Sequence, residues 1–337
     1  MRVLVTGANG FIGAHLARRL LAEGLEVNAL VHRSADRLEG LALRVFQGDV
    51  NQPESLAPAL AGVEVVFHLA ARATDWGPRR EFFRVNVEGT RNVLAAARAA
   101  GCRRFVLLSS LAVHRFTGHR DAGEDTPTDQ DRYPYGASKV AAEALVREAQ
   151  QAGGLETTIL RPGVVVHGPG DTTAFVHMAP VLMRGRWPHV GRGRFIFCYS
   201  YVENLVDGIA LAGLRPEGAG RTLILTDDIR PTWAEYIEIL LRLFENRRKT
   251  VSFPVPVARA AGCAAEWVFR LFRAKDPPPI TDYRTALVSR DFHFSCARAK
   301  QLLGYRPRVP FEEGLRRTVD WYRSRAHQDA TEVAGRT

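Results

Sequence analysis

The chain has 337 residues, 46% of them hydrophobic and 24% charged, enough for two domains of ordinary globular composition. Its net charge of +10 rests on arginines spread along the whole length, with four lysines only (Lys139, Lys249, Lys275, Lys300) and no basic run, which argues against nucleic-acid binding. No apolar run is long enough to span a membrane, Cys102, Cys198, Cys263 and Cys296 form no CxxC pair, and the N-terminus enters a strand at once. A cytoplasmic protein with reduced thiols, no metal site and no signal peptide is expected.

RVLVT, residues 2–6, is a near-continuous apolar run, the pattern of a strand buried on both faces of a parallel sheet. GANGFIG follows, with Gly7, Gly10 and Gly13, and then AHLARRLLAEG shows helical apolar spacing with Gly24 as its stop. A second strand, EVNALVH, covers 26–32. In this context a glycine turn predicts dinucleotide binding. Residues without side chains let the backbone approach a pyrophosphate, and the helix N-terminus offers it free N–H groups.

The spacing is GxxGxxG, and at this point the chain resembles the extended short-chain dehydrogenases/reductases. That branch includes nucleotide-sugar epimerases and dehydratases, dihydroflavonol reductases and 3β-hydroxysteroid dehydrogenases. The resemblance runs from Arg2 to about Tyr322. It implies an α/β fold: a Rossmann-type doubly wound parallel sheet with a smaller, mostly helical C-terminal substrate domain. It also implies an NAD(P)H cofactor, with Phe11 and Ile12 beside the three glycines.

An acidic residue ending the second strand would favour NAD and repel the 2′-phosphate of NADP. In family register that place is Val31, followed by His32 and Arg33, which could hold a phosphate. The reading leans to NADP(H), with use of both cofactors open. By the same resemblance, Asp49 and Val50 in QGDV match an adenine-contacting pair. Leu69, Ala70 and Ala71, in VFHLAARA after the fourth strand, would lie against the ribose and diphosphate. His68 is read as a packing residue rather than a base.

RFVLLSSLAV, 104–113, predicts a fifth strand with Ser109 and Ser110 at its carboxyl end, where ligands bind in open α/β sheets. YPYGASKVAAEALVREA then predicts a helix, which puts Tyr135 and Lys139 on one face, four residues apart. Strand-end serine and helix-borne tyrosine and lysine thus converge on one sheet edge. The resemblance selects Ser110 of the two serines and makes Tyr135 the general acid/base. A free phenol, with pKa about 10, is too weakly acidic for that role. Lys139 and an oxidised nicotinamide are expected to lower it. Asn86, in NVEGT, matches the family's buried asparagine near the lysine, and Pro162 and Gly163, after a sixth strand ETTILR, a loop lining the nicotinamide. Arg161 is as consistent with a structural role as with a functional one.

Leu111, Ala112 and Val113 follow Ser110, so no acidic residue serves a dehydratase there. Phe197 and Cys198 stand where an epimerase would carry an Arg-Asp pair to clamp a diphosphate. Phe195, Phe197, Tyr199 and Tyr201 are read as a wall for a flat apolar substrate, with core packing as the plain alternative. VENLVDGIALA, ATDWG (including Trp76) and 287–322 resemble the 3β-hydroxysteroid dehydrogenase and sterol C4-decarboxylase group, and a bacterial ketoreductase of long-chain 2-alkyl-3-keto acids. Oxidising the 3-hydroxyl of a 4-carboxysterol creates a β-keto acid, which loses CO₂ without further catalytic groups. Arg72, Arg79, Arg80 or His114 are candidates to meet such a carboxylate.

Residues 255–273, VPVARAAGCAAEWVFRLFR, are apolar with interspersed arginines, and read either as a packing helix of the small domain or as a peripheral contact with an anionic membrane surface. The nucleotide domain is placed at 1–165, regaining a strand at 220–226. The substrate domain takes 167–200 and 230–322, and 325–337 is a frayed polar tail. The expected partner is a small lipid substrate, and whether the chain forms a homodimer is left open. The readings carried forward are a lipid alcohol dehydrogenase or ketoreductase, a dihydroflavonol-type reductase, a nucleotide-sugar epimerase, and a catalytically silent cofactor sensor.

Overall fold

Val3 and Val5 point to one face of their strand and Leu4 to the other, and all three are buried because helices cover both faces of the sheet. The computed structural model describes residues 1–334 apart from Arg186, 247–249, Arg273 and Lys275, with residues 326–334 described by their backbone.

In chain order the first half comprises β1 (Arg2–Thr6), α1 (Phe11–Ala22), β2 (Glu26–Val31), β3 (Arg44–Gln47), α2 (Ala57–Leu60), β4 (Val65–His68), α3 (Arg79–Phe83), α4 (Gly89–Ala99), β5 (Arg104–Leu108), β6 (His119–Ala122), α5 (Pro134–Gln151) and β7 (Glu156–Pro162). The second half comprises β8 (Val165–His167), α6 (Phe175–Met183), β9 (Pro188–Val190), β10 (Tyr199–Tyr201), α7 (Val202–Leu214), β11 (Arg221–Leu225), α8 (Trp233–Leu243), β12 (Val251–Phe253), α9 (Val255–Leu271), α10 (Asp282–Leu287), β13 (Phe292–Phe294), α11 (Ala297–Leu303) and α12 (Phe311–Ala334).

Seven parallel strands form the main sheet in the order β11-β7-β5-β4-β1-β2-β3. Winding reverses between β1 and β4, which opens a crevice at their carboxyl ends, where Gly7 and Leu69 lie. Helices α1 and α7 pack on one face through Leu16, Leu20, Val202 and Leu205. Helices α4 and α5 pack on the other through Val93, Leu94, Ala142 and Val146. A separate core gathers Phe175, Leu182, Tyr236, Leu240 and Leu315 from α6, α8 and α12.

Two boundaries differ from the sequence reading. Phe292, Phe294, Ala299, Leu303 and Tyr305, assigned to the substrate domain, return to the core of the main sheet. The stretch expected to fray from 325 continues helix α12 through Ala334, because Phe311 to Tyr322 start a helix that nothing before Gly335 interrupts. Residues 335–337 and Arg273, in the apolar stretch 255–273, lie outside the described residues.

Candidate active site

The glycine turn is shaped by close backbone approach. Gly7 has φ +67°, and a Cβ on it would lie 2.9 Å from Ala70 N and Cα. A Cβ on Gly13 would lie 2.2 Å from the Gly7 carbonyl oxygen, so no larger residue fits there. Gly10 donates its N–H to the Gly7 carbonyl at 2.9 Å and N-caps α1 without a side-chain cap. The N–H groups opening α1, at Phe11, Ile12 and Gly13, are thus left to face a ligand. Phe11 itself is buried in the core, near Gly168. Leu69 and Ala70 are half-buried and donate their N–H groups to Thr6 Oγ1, both at 3.2 Å, which holds them against the glycine turn. Ala71 follows them, also half-buried.

At the end of β2, His32 and Arg33 are exposed. His32 Nε2 is 3.5 Å from Asp49 Oδ2, whereas Arg33 has no ion-pair partner among the described residues. Burial works against the Asp49 charge, but the Asn51 backbone and side-chain amides, at 2.9 and 2.8 Å, hold its carboxyl below the usual range. Val50 is buried beneath Gly89, and its carbonyl accepts from Asn92. The turn, the α1 N-terminus and the polar rim from His32 to Asp49 fit a dinucleotide.

At the opposite side of the crevice, the Ser110 hydroxyl hydrogen-bonds the Tyr135 phenol. Ser110 also N-caps the turn 111–113, accepting from Ala112 N at 3.1 Å. Ser109 points away and donates to Glu143 Oε1 at 2.6 Å. Lys139 is buried and donates from Nζ to the Leu108 carbonyl at 2.8 Å. Burial lowers its pKa to about 8, against the opposing charge of Glu143 one turn further along α5. The Tyr135 phenol departs from the expected shift. Burial raises its pKa, the Ser110 hydrogen bond works the other way, and Lys139, committed to a backbone carbonyl, does not lower it.

Asn86 lies in a π-helical turn between α3 and α4, a bulge that turns it inward. It accepts from Arg72 N at 2.7 Å and donates to Arg72 O at 3.2 Å and to Ser138 Oγ at 2.8 Å; Ser138 donates to Tyr135 O at 2.7 Å. Asn86 therefore positions the loop after β4 and the start of α5. Its partners are Arg72 and Ser138 rather than Lys139. His68 is bonded to Thr6 and Thr90 and is held neutral by burial, with its pKa lowered to about 3. Arg161 is a structural residue, paired with buried Glu143.

Four expectations are corrected. Phe197 is fully buried and stacks on Trp233 at 4.0 Å between centroids, and Tyr201 is fully buried in the same core, so neither lines a pocket. Tyr199 is equally enclosed. His114 is fully buried, stacks on Phe294, and has its pKa lowered to about 4 by burial, so it carries no charge for a carboxylate. Trp76 is nearly buried; its indole donates to the Ala274 carbonyl at 3.3 Å and lies under Arg270, which seats its loop on α9. Gly163 directs its N–H to Ser200 Oγ at 3.2 Å, and a Cβ there would lie 2.9 Å from that oxygen, so it packs rather than presents a donor. Pro162, which ends β7, is buried before it.

Two functional neighbours escaped the sequence reading. Glu143 is on the same helical face as Lys139, and its i+4 spacing is the signal that marks it. Tyr283 packs edge-on against Tyr133 and Phe116, each at 5.2 Å, and burial, with smaller effects of Tyr135, Asp75 and Tyr133, raises its pKa. Nothing local ties Tyr283 to Tyr135, nearly 150 residues earlier.

The sequence pattern of the NAD dependent epimerase/dehydratase family matches residues 3–223. The chain belongs to this family. It is 32% identical to the 2-alkyl-3-oxoalkanoate reductase of Shewanella oneidensis, over 93% of this chain and 84% of that protein. It is 30% identical to the human sterol-4-alpha-carboxylate 3-dehydrogenase, decarboxylating, over 96% of this chain and 88% of that protein. The solved structure of MoeE5 in complex with UDP-glucuronic acid and NAD superposes with a TM-score of 0.77 at 26% identity, covering 96% of this chain and 99% of that one. This family member is an NAD-dependent enzyme of the short-chain dehydrogenase/reductase type, acting on CH–OH groups.

Proposed function

We propose that the enzyme interconverts a secondary alcohol and a ketone on a bulky lipid, using NADP(H). 3β-Hydroxysterols, including 4-carboxysterols, are the first candidates and long-chain 2-alkyl-3-keto acids the second. The observation that carries the reading is the aromatic cluster near Tyr135, in which half-buried Tyr283 and Phe116 pack on each other and on Tyr133. The exposed edges of Phe116 and Tyr283 would gain from excluding water around a lipid skeleton. A nucleotide sugar is disfavoured because Phe197, buried in the core, offers no cation for a diphosphate.

The substrates named for the two relatives share one chemical feature. A 2-alkyl-3-oxoalkanoate and a sterol-4-carboxylate both carry the reacting oxygen on the carbon β to a carboxylate. We assign Arg72 to that carboxylate: Asn86 pins its backbone in the site loop. The Arg72 guanidinium pairs with Glu81 at 3.2 Å and lies over Phe82, so a substrate carboxylate would take the place of Glu81. Arg79 and Arg80 are exposed, and Asn86 fixes neither of their backbones. Tyr135 holds the proton that leaves or joins the substrate oxygen, and Ser110 hydrogen-bonds that oxygen. When bound, the nicotinamide supplies or accepts the hydride. Arg33, exposed and without an ion pair among the described residues, supports the 2′-phosphate of NADP.

Nicotinamide absorbance tests the reading, with 3β-hydroxysterols with and without a 4-carboxyl against NAD⁺ and NADP⁺, and with 2-alkyl-3-keto acids against NADPH. Turnover of either class supports it, and CO₂ release with the acid marks decarboxylation. Turnover of a nucleotide sugar alone would overturn it. Tyr135→Phe is expected to lose at least about a hundredfold in turnover while cofactor affinity is kept.

A further inference from the structure

Helix α9 turns Arg259 and Glu266 toward the protein and its large apolar side chains to solvent, with Arg270 exposed near its C-terminal end. Its buried residues are Ala258 and Gly262. A Cβ on Gly262 would lie 2.8 Å from Thr285 Oγ1 and 2.9 Å from the Thr281 carbonyl oxygen, so α9 rests close on α10. On that side Arg259 pairs with Asp282 at 2.9 Å, and Glu266 accepts the Asp282 N–H at 2.7 Å. Asp282 also accepts from Tyr133 at 2.9 Å and from Arg132 at 2.7 Å, just ahead of Tyr135.

The opposite face is an uncovered apolar stripe. Val257, Ala260, Ala264, Trp267, Val268 and Leu271 recur at three- and four-residue spacing and are all exposed. Trp267 is 67% exposed, Leu271 62%, and Phe272, just past the helix, 77%. Val251 and Phe253, in the strand just before the helix, are exposed as well. A helix packed on a globular domain normally buries such a stripe, and a patch of this kind marks an interaction surface.

Charge selects the occupant. Between Arg242 and Lys275 the sequence carries eight Lys/Arg and two Glu. A second copy would carry the same excess of Lys/Arg in this stretch of sequence, whereas an anionic surface complements it. No helix among the described residues is long and apolar enough to cross a membrane, so the stripe suits a helix lying in the interface plane.

We propose that α9 docks on an anionic lipid surface, seating Trp267, Leu271 and Phe272 among the acyl chains. The inference rests on the surface itself and holds whichever substrate the enzyme takes. It places the Trp76 loop, which contacts Ala274 and Arg270 at the end of α9, next to the lipid.

Flotation of the full-length protein with phosphatidylcholine vesicles, with and without phosphatidylglycerol, tests it. Binding to the anionic vesicles is expected to exceed that to the neutral ones at least about tenfold and to weaken with added salt. Trp267→Ser/Phe272→Ser should lose that excess while keeping its cofactor affinity and melting point; Val268→Glu on the same stripe serves if the pair does not fold. Failure of the wild-type protein to float with anionic vesicles overturns the proposal. So does a dimer that the double substitution dissociates, which would assign the face to a second copy.

Discussion

Arg161 donates two hydrogen bonds to Glu143, Nε to Oε1 at 2.9 Å and Nη2 to Oε2 at 2.7 Å, with both side chains essentially buried. Arg147 and Ser109 complete the shell of the carboxylate, so its charge survives burial. Through Glu143 the pair reaches Lys139 and opposes the loss of its proton. Arg161→Met leaves this carboxylate short of its main partner. It is expected to cost about 3–5 kcal/mol, read as a lower urea midpoint. An unchanged midpoint would show that Arg147 alone suffices.

The pH profile reports the Ser110–Tyr135 bond. That bond lowers the Tyr135 pKa against burial. Ser110→Ala removes it, so the phenol ionises at higher pH. In alcohol oxidation, where ionised Tyr135 accepts the proton, the acidic limb of kcat/KM should move to higher pH. Activity at neutral pH should fall about a hundredfold. A profile displaced to lower pH would refute the assignment.

Acid stability depends on two buried histidines. His68 titrates near 3 and His114 near 4 in the fold, against an ordinary value of 6.5, because burial disfavours both cations. Above about 6.5 they are neutral in folded and unfolded chains alike. Below it the unfolded chain binds protons that the folded one does not, so stability falls as pH drops from 6.5 toward 3. Urea unfolding at a series of pH values should show the loss, of the order of a few kcal/mol. His68→Gln, which keeps polar atoms near Thr6 and Thr90, should flatten the dependence.

Arg33 decides cofactor choice in this reading. Arg33→Ser is expected to raise KM for NADPH about tenfold and leave NADH nearly unaffected. Equal effects on both cofactors would move Arg33 to a role shared by them, such as stacking on adenine.

How much of this was legible in the sequence follows from how local each signal is. The glycine turn was readable because Gly7, Gly10 and Gly13 fall within one strand–turn–helix unit, where each clash that a Cβ would create is set by neighbours in sequence or on the adjoining strand. The meeting of Ser110, Tyr135 and Lys139 was readable because a strand end and helical spacing fix where those side chains emerge.

Other features were decided by distant partners. Alternating aromatics at Phe197, Tyr199 and Tyr201 read equally as pocket wall or core, and Trp233 and Phe311, brought in from α8 and α12, enclosed them. His114 lost its charge to burial, in a cluster closed over it by Phe294, well over a hundred residues later in the chain. The apolar stripe of α9 was visible as a period, but a period does not say which face turns inward. Asp282 decided that, by drawing Arg259 to the protein side and leaving Trp267 to solvent. Local spacing determined which residues share a surface, and only the tertiary structure, through burial and long-range pairing, determined what each surface meets.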